Sequence, residues 1–260
     1  LEWPLIRFCA PGLAPCLINY IELSSDFETP AIDNRINERS GWKGAFMNRI
    51  PGFILPIFIL SAAAIAQELK PIQLPPPDTT GGRPLMQVLH DRHSTREYGS
   101  DTLTLPVLSN LLWAAWGVNR PESGKRTAPS AMDKREIDLY VAAAHGLYSY
   151  DPAKHLLQPV AAGDIREKTG VQDFVKSVPV NLVYVADYAR MSGSDSAKVS
   201  YSFADAALIA ENVYLFCASE GLGTVVRGLV DRSALAPAMK LRSDQHIVLA
   251  QSVGYPPKNK

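Results

Sequence analysis

The chain has 260 residues, with 26 Lys+Arg against 26 Asp+Glu and 47% hydrophobic residues, which suits one or two globular domains. Zero formal net charge and a pI near 7.1 exclude the strongly basic surface that nonspecific nucleic-acid binding or attachment to anionic lipid needs. Cys9 and Cys16 lie far from Cys217, so there is no CxxC metal site and no disulfide-dense framework.

Residues 1–46 show no sustained helical or strand period. Met47-Asn48-Arg49 then makes a short basic start, residues 50–60 an apolar run, and Ser61-Ala62-Ala63-Ala64-Ile65-Ala66 places small residues at Ala64 and Ala66. Those are the three parts of a secretory signal, with cleavage expected after Ala66. The apolar stretch carries Pro51, Gly52 and Pro56 and stands at the lower limit for a membrane helix, so no stable span is expected once the signal is gone. Residues 1–46 read as upstream, non-native sequence or as an unstructured extension. A periplasmic or secreted protein is expected, or a cytoplasmic one if residues 47–66 are no signal.

Residues 67–83 hold Pro71, Pro75, Pro76, Pro77, Gly81 and Gly82, a composition that favours an extended arm acting as tether or strap. The folded domain is expected over residues 84–260. Helices are predicted at 84–91, with Leu85, Met86 and Leu89 on one face, and at 106–116, with Leu108, Leu111, Leu112 and Ala115. Residues 137–143 read as a buried strand, and 146–150 with 155–160 as a hairpin turning through Asp151-Pro152-Ala153-Lys154. A short helix is expected at 164–169 and a β-branched central strand at 180–186.

Residues 200–219 carry the longest helical pattern. Phe203, Ala206, Ala207, Ala210, Val213, Tyr214 and Cys217 recur at three-and-four spacing, a small-residue face suited to a tight subunit or domain contact or to an ordinary core. Gly221-Leu222-Gly223 ends this helix, residues 231–241 form the last helix and 247–253 the last strand. Helices and strands interleave without a regular βαβ beat. The expected class is an α+β sandwich, a mainly antiparallel sheet with helices packed on it.

Asp91-Arg92-His93-Ser94-Thr95-Arg96 places two guanidinium groups and a hydroxyl within five residues. Arg92, Ser94 and Arg96 alternate, so an extended segment aims all three the same way. That arrangement suits a phosphate or another anion, because guanidinium donates paired hydrogen bonds in matching geometry. A solvated charged loop would read the same way. Two further loops stand out, Arg126-Thr127-Ala128-Pro129-Ser130-Ala131 before a strand and Gly221-Leu222-Gly223-Thr224-Val225-Val226-Arg227-Gly228 after the long helix, and Gly254-Tyr255-Pro256-Pro257-Lys258 closes the chain.

In order and spacing these four segments resemble the nitroreductase family of FMN-dependent oxidoreductases, especially its SagB-type branch, over roughly residues 85–258. The resemblance implies an intertwined homodimer with FMN at its boundary. It implies that Arg92, Ser94 and Arg96 hold the phosphate and ribityl chain, with His93 alongside. Pro129, Ser130, Ala131 and Asp133 would cover the flavin from the other subunit, with Ala131 and Asp133 departing from the family's Ser and Asn. Backbone groups of Val226, Arg227 and Gly228 would approach the ring, the Arg227 side chain would stabilise negative charge at its pyrimidine end, and Lys258 and Lys260 would complete the phosphate site. The long helix would be the dimer helix, with Glu211-Asn212 where Gln-Asn is common. The implied chemistry is hydride transfer through flavin N5 between a donor such as NAD(P)H and a small nitro, quinone or peptide-derived acceptor. A flavin- or ligand-binding protein without turnover and a flavin-destroying enzyme of the same fold stay open at this stage.

Rival chemistries find no footing. His90, His93, His145, His155 and His246 show no HExxH spacing, there is no GxSxG, and Gly221-x-Gly223 follows a helix where a dinucleotide fingerprint would follow a strand. Cys217 lies on an apolar helix face, where a thiol packs, and Trp113 and Trp116 read as core or interface aromatics.

Overall fold

The computed structural model describes residues 69–258. The expected signal at 47–66, the sequence before it, and Lys260 lie outside the described residues.

A seven-stranded sheet runs in the order β1-β6-β5-β4-β7-β9-β8, where β1 is Ile72–Gln73, β4 Ile137–Ala143, β5 Gly146–Asp151, β6 Leu156–Ala162, β7 Val180–Asp187, β8 Gly223–Arg227 and β9 Gln245–Gly254. Every pairing is antiparallel. A separate small hairpin joins β2 (Val118–Arg120) to β3 (Lys125–Arg126). The helices are α1 (Leu85–Asp91), α2 (Leu105–Trp116), α3 (Asp195–Glu220) and α4 (Arg232–Ala238).

Alternation splits the strands between two cores. Leu139 and Val141 of β4 with Leu182 and Tyr184 of β7 face α2 and α3, where Leu111, Leu112, Ile209 and Val213 meet them. Tyr140, Ala142, Val183 and Val185 face the other way, toward Leu235 and Met239 at α4. With both faces covered, β7 is buried along its whole length, which explains its unbroken apolar run. Each fully buried Leu or Ile contributes about 1.5–3 kcal/mol.

The long helix starts earlier than its hydrophobic period suggests, because the Ser194 hydroxyl accepts the Ala197 N–H and caps it, a bond that stabilises by about 1 kcal/mol. It stops where Gly221 takes φ 70, a left-handed turn that a side chain resists. Its faces are distributed differently from the expectation. Ala206, Ala210, Val213 and Cys217 pack on the chain's own sheet, whereas Phe203, Ala207 and Leu208 are exposed. The small residues serve close helix-to-sheet approach within one chain. On α1, too, only Val88 is buried, and Leu85, Met86 and Leu89 face outward.

Residues 231–241 give a shorter helix than expected. The Asp231 carboxylate caps α4 at Ala234 N, Pro237 lies inside it, and Lys240 turns to φ 55 beyond its end. Strand β8 was legible only as a glycine-rich loop, since it is five residues long and begins at the glycine that follows the helix cap. The proline-rich arm is packed. Gln73 and Ile72 pair with Leu156 and Leu157, Leu74 is 2% exposed, and His155 accepts the arm by lying against the Pro75 carbonyl, the Ser109 hydroxyl and the Tyr150 hydroxyl at 3.1, 2.7 and 2.8 Å.

Candidate functional site

After α1 the chain runs extended across the end of the sheet. The Thr95 N–H donates to the Thr224 carbonyl of β8 at 2.8 Å, and the Tyr98 hydroxyl donates back to the Thr95 carbonyl at 2.6 Å. A Cβ on Gly223 would sit 2.8 Å from Thr95 Cγ2, so only glycine admits the strap this close. Burial pushes the Tyr98 phenol up, and it stays a neutral donor.

The alternate side chains gather on Tyr214 of α3. Its hydroxyl accepts the Val226 N–H at 3.0 Å and shares a hydrogen bond with Ser94 Oγ at 2.9 Å. The Arg92 guanidinium lies over the Tyr214 ring, 5.3 Å from its centroid, a cation–π contact. Arg96 is exposed, two residues on. Asp91, the carboxylate next to Arg92, is held below the usual range by the hydrogen bond from His90 and by Arg83, which pairs with it at 2.5 Å. Among the described residues no carboxylate pairs with Arg92 or Arg96. His93 turns its Nδ1 to the Asp91 carbonyl at 2.7 Å.

The structure thus brings Arg92, Ser94 and Val226 together around Tyr214, with Arg96 on the same strap, and a Cβ on Gly228 would meet nothing within 4 Å. That open space and the uncompensated cations fit an anionic cofactor tail followed by a flat ring. Tyr214 itself was missed as a site residue. The available signal was a phenol among alanines on an inward helix face, where a buried hydroxyl needs a partner.

The Arg227 side chain does not join them. Successive strand residues point to opposite faces, so with Val226 toward α3, Arg227 enters the other core. It is 5% exposed and donates to the Thr169 carbonyl at 2.8 Å and Asn181 Oδ1 at 3.1 Å. Burial lowers its pKa to about 10. The side chain thus stands inside the core with its Nε unpartnered, and its backbone adjoins the open space at Gly228. Lys258 lies beside the strap, because Gly99 N–H donates to the Tyr255 carbonyl at 2.9 Å, but its ammonium pairs with Asp101 at 2.8 Å.

The Pro129–Asp133 segment sits elsewhere on α3. Ala131 N–H donates to Asp205 Oδ2 at 2.8 Å, Ser130 Oγ accepts the Arg135 N–H at 2.7 Å and donates to Glu136 Oε2 at 3.3 Å, and Asp133 pairs with Arg135. Met132, Asp133 and Arg135 all have φ between 51 and 55. Three left-handed non-glycine residues in so short a stretch are strained. Glu136 is fully buried with Oε1 unpartnered, and burial together with the neighbouring Asp205 charge holds its carboxyl above the usual range. Asp205 and Tyr214 are nine residues apart on one helix, about 14 Å along its axis. One chain therefore carries the two groups of expected cofactor contacts at separate stations.

A cleft of about 470 Å³ lies between the arm, α1, α2 and α3; Arg83, Trp113, Asn212 and Phe216 line it, and Arg92, Ser94, Tyr214 and Val226 do not. Trp116 is a core residue that donates to the Ile137 carbonyl at 2.9 Å. Cys217 is buried, and burial pushes its thiol up. Among the described residues no three His, Cys, Asp or Glu side chains could hold a metal, and no helix is long and apolar enough to cross a membrane.

These features define an α+β sandwich with a cation-bearing strap across one end of its sheet. The nitroreductase family model matches residues 89–255, and the chain belongs to the nitroreductase family, a family of FMN-dependent oxidoreductases. It is 31% identical over 181 residues, 65% of this chain and 90% of the other, to a candidate nitroreductase of Methanocaldococcus jannaschii, MJ1384. A crystal structure of a candidate nitroreductase from Ralstonia eutropha JMP134 is 47% identical with a TM-score of 0.71, covering 75% of this chain and 94% of the other. A Desulfovibrio desulfuricans relative, crystallised in complex with FMN, shares the fold at 19% identity and TM-score 0.50, covering 68% of this chain and 88% of the other.

Proposed function

We propose that this chain is a homodimeric FMN oxidoreductase of the SagB-type branch, taking hydride from a donor such as NAD(P)H and passing it to a small nitro, quinone or peptide-derived acceptor. The observation that carries this is the cluster of Arg92, Ser94 and Val226 around Tyr214, with Arg96 beside it and no carboxylate paired with either guanidinium among the described residues. Arg92 and Arg96 would neutralise the phosphate, Ser94 would donate to it or to the ribityl chain, and the backbone from Val226 to Gly228 would border the ring. FMN supplies a hydride acceptor and donor at N5 when bound. The chain's own part is to fix that group against the sheet and keep one face open to both reactants.

Two copies are proposed because the Asp205 station that holds Ala131 lies about 14 Å along α3 from the Tyr214 station that holds Ser94, and the resemblance assigns the Pro129–Asp133 segment to the flavin of the other subunit. An antiparallel pairing along α3 would bring the Asp205 station of one copy to the Tyr214 station of the other. Exposed Phe203, Ala207 and Leu208 on α3 and exposed Leu85, Met86 and Leu89 on α1 are the apolar surface such a pairing would cover. Export is proposed from residues 47–66, and a native N-terminus at Gln67 in mass spectrometry would support it.

The test is the absorbance spectrum of the purified protein with and without added FMN. A yellow, dimeric protein is expected, and Arg92→Ala/Arg96→Ala should be folded and colourless. A native preparation that takes up no FMN would overturn the proposal. Bound flavin that no donor reduces would reassign the chain to binding alone.

A further inference from the structure

The β2–β3 hairpin and the strained Pro129–Asp133 segment enclose a pocket of about 200 Å³ away from the Tyr214 cluster, lined by Arg120, Lys125, Arg126 and Arg135 with Asp133 as its one acid. Four cations and one carboxylate leave a formal charge of +3 in a chain whose net charge is zero. Asp133 is already spent, gripped by Arg135 through both carboxylate oxygens at 2.8 and 2.7 Å. Among the described residues no carboxylate pairs with Arg120, Lys125 or Arg126.

Arg126 is only partly compensated. Its guanidinium lies over the Trp116 ring, 4.9 Å from the centroid, and donates to the Trp116 carbonyl at 3.3 Å, while its Nε is buried without a partner. Burial and then the charge of Arg135 lower its pKa. Folding therefore holds like charges together around a small concavity, at a cost that an arriving anion would relieve. Arg120 is held toward the same place by donating to Asn119 Oδ1 at 3.1 Å and the Arg126 carbonyl at 2.8 Å.

We infer that this pocket binds the oxyanion group, carboxylate or phosphate, of a small molecule that reacts at the site. The inference rests on the proposed flavin site in one respect, since it is the partner's flavin that the Pro129–Asp133 segment would cover. An acid group seated here would then anchor one end of the molecule while its other end reaches the ring. Guanidinium and ammonium groups that converge without counter-ions recognise such a group by paired, charge-assisted hydrogen bonds.

The experiment is calorimetric titration of the purified protein with 4-nitrobenzoate, 4-nitrophenyl phosphate and the neutral 4-nitrobenzyl alcohol, each with FMN present and after its removal. Arg120→Ala/Lys125→Ala alters only exposed side chains, and Arg126→Met keeps the bulk over Trp116 while removing the charge. Either variant should weaken the better-bound anion by about tenfold or more and leave the neutral compound unchanged. The stronger of the two anions identifies carboxylate or phosphate as the group. No anion binding to the native protein, equal binding by native and Arg120→Ala/Lys125→Ala, or an equal loss for the alcohol would overturn the inference. Anion binding that persists in a protein unable to take up FMN would sustain the pocket and sink the flavin reading, whereas a yellow protein indifferent to both anions would do the reverse.

Discussion

Arg92 and Arg227 lie on either side of one short stretch of structure and have opposite fates. Arg92 rests on an aromatic ring at the surface and pairs with no carboxylate among the described residues. Arg227, one residue past the Val226 N–H that Tyr214 binds, is buried and donates to Thr169 and Asn181. The difference teaches that a cation beside a cofactor motif is assigned by strand parity and by what it is already bonded to. A guanidinium enclosed in the core and bonded to oxygens of its own chain stabilises the fold, although the Arg227 Nε is buried without a partner, while one left at the surface without a counter-ion is available to a ligand.

The largest expected effect tests the buried side of that contrast. Arg227→Met should cost about 3 kcal/mol, because the Thr169 carbonyl loses its donor and Asn181 Oδ1 keeps only the Ser252 hydroxyl inside the core, and chemical denaturation would read it. FMN affinity of the protein that remains folded should be unchanged; a loss there with normal stability would restore a cofactor role.

A second basic side chain extends the comparison. His155 uses both ring nitrogens inside the arm contact, and His155→Ala should cost about 2 kcal/mol, read by chemical denaturation. Burial lowers its pKa from 6.5, so the unfolded chain binds the proton more readily than the folded one. The stabilisation is complete above pH 6.5 and is lost as the pH falls below it. Native protein should show that acid-side loss in melting temperature, and the variant should not.

The surface side is sharpened by Arg92→Ala, which should weaken FMN binding by about tenfold with stability within about 0.5 kcal/mol of native. Fluorescence titration of FMN measures the first and thermal melting the second. The smallest effect concerns Glu136. Its carboxyl is raised above the usual 4.5 by burial and by Asp205, so the folded state keeps a proton that the unfolded state gives up. Its contribution is fully present below pH 4.5 and declines as the pH rises toward the raised value. Glu136→Gln should flatten that alkaline-side slope by about 1 kcal/mol or less, visible as a melting temperature less sensitive to pH.

Strand and helix periodicity made much of the architecture legible. The run at 180–186 announced a strand buried on both faces, and the hairpin around Asp151 and Lys154 announced itself by its turn residues. What escaped was short or decided by distant partners. Two-residue β1 hides in a proline-rich arm, and the β2–β3 hairpin has no alternation to show. Arg92, Ser94 and Arg96 were legible as a cation strap because alternation needs only an extended chain. The burial of Arg227 was not legible, because one side chain's face depends on β8 being a strand at all. The small-residue face of α3 carried the right periodicity, but period alone does not say whether a sheet or another molecule lies opposite.

Asp205 and Tyr214 hang on the same continuous rod of hydrogen-bonded turns. Inserting or deleting a single residue between them would swing one station by about 100° around the axis and shift it by about 1.5 Å. The loops at either end of the sheet can vary in size without that penalty. The interval between these two residues works as a ruler, and a change of register in it would separate the halves of the proposed flavin site even if every side chain named above were kept.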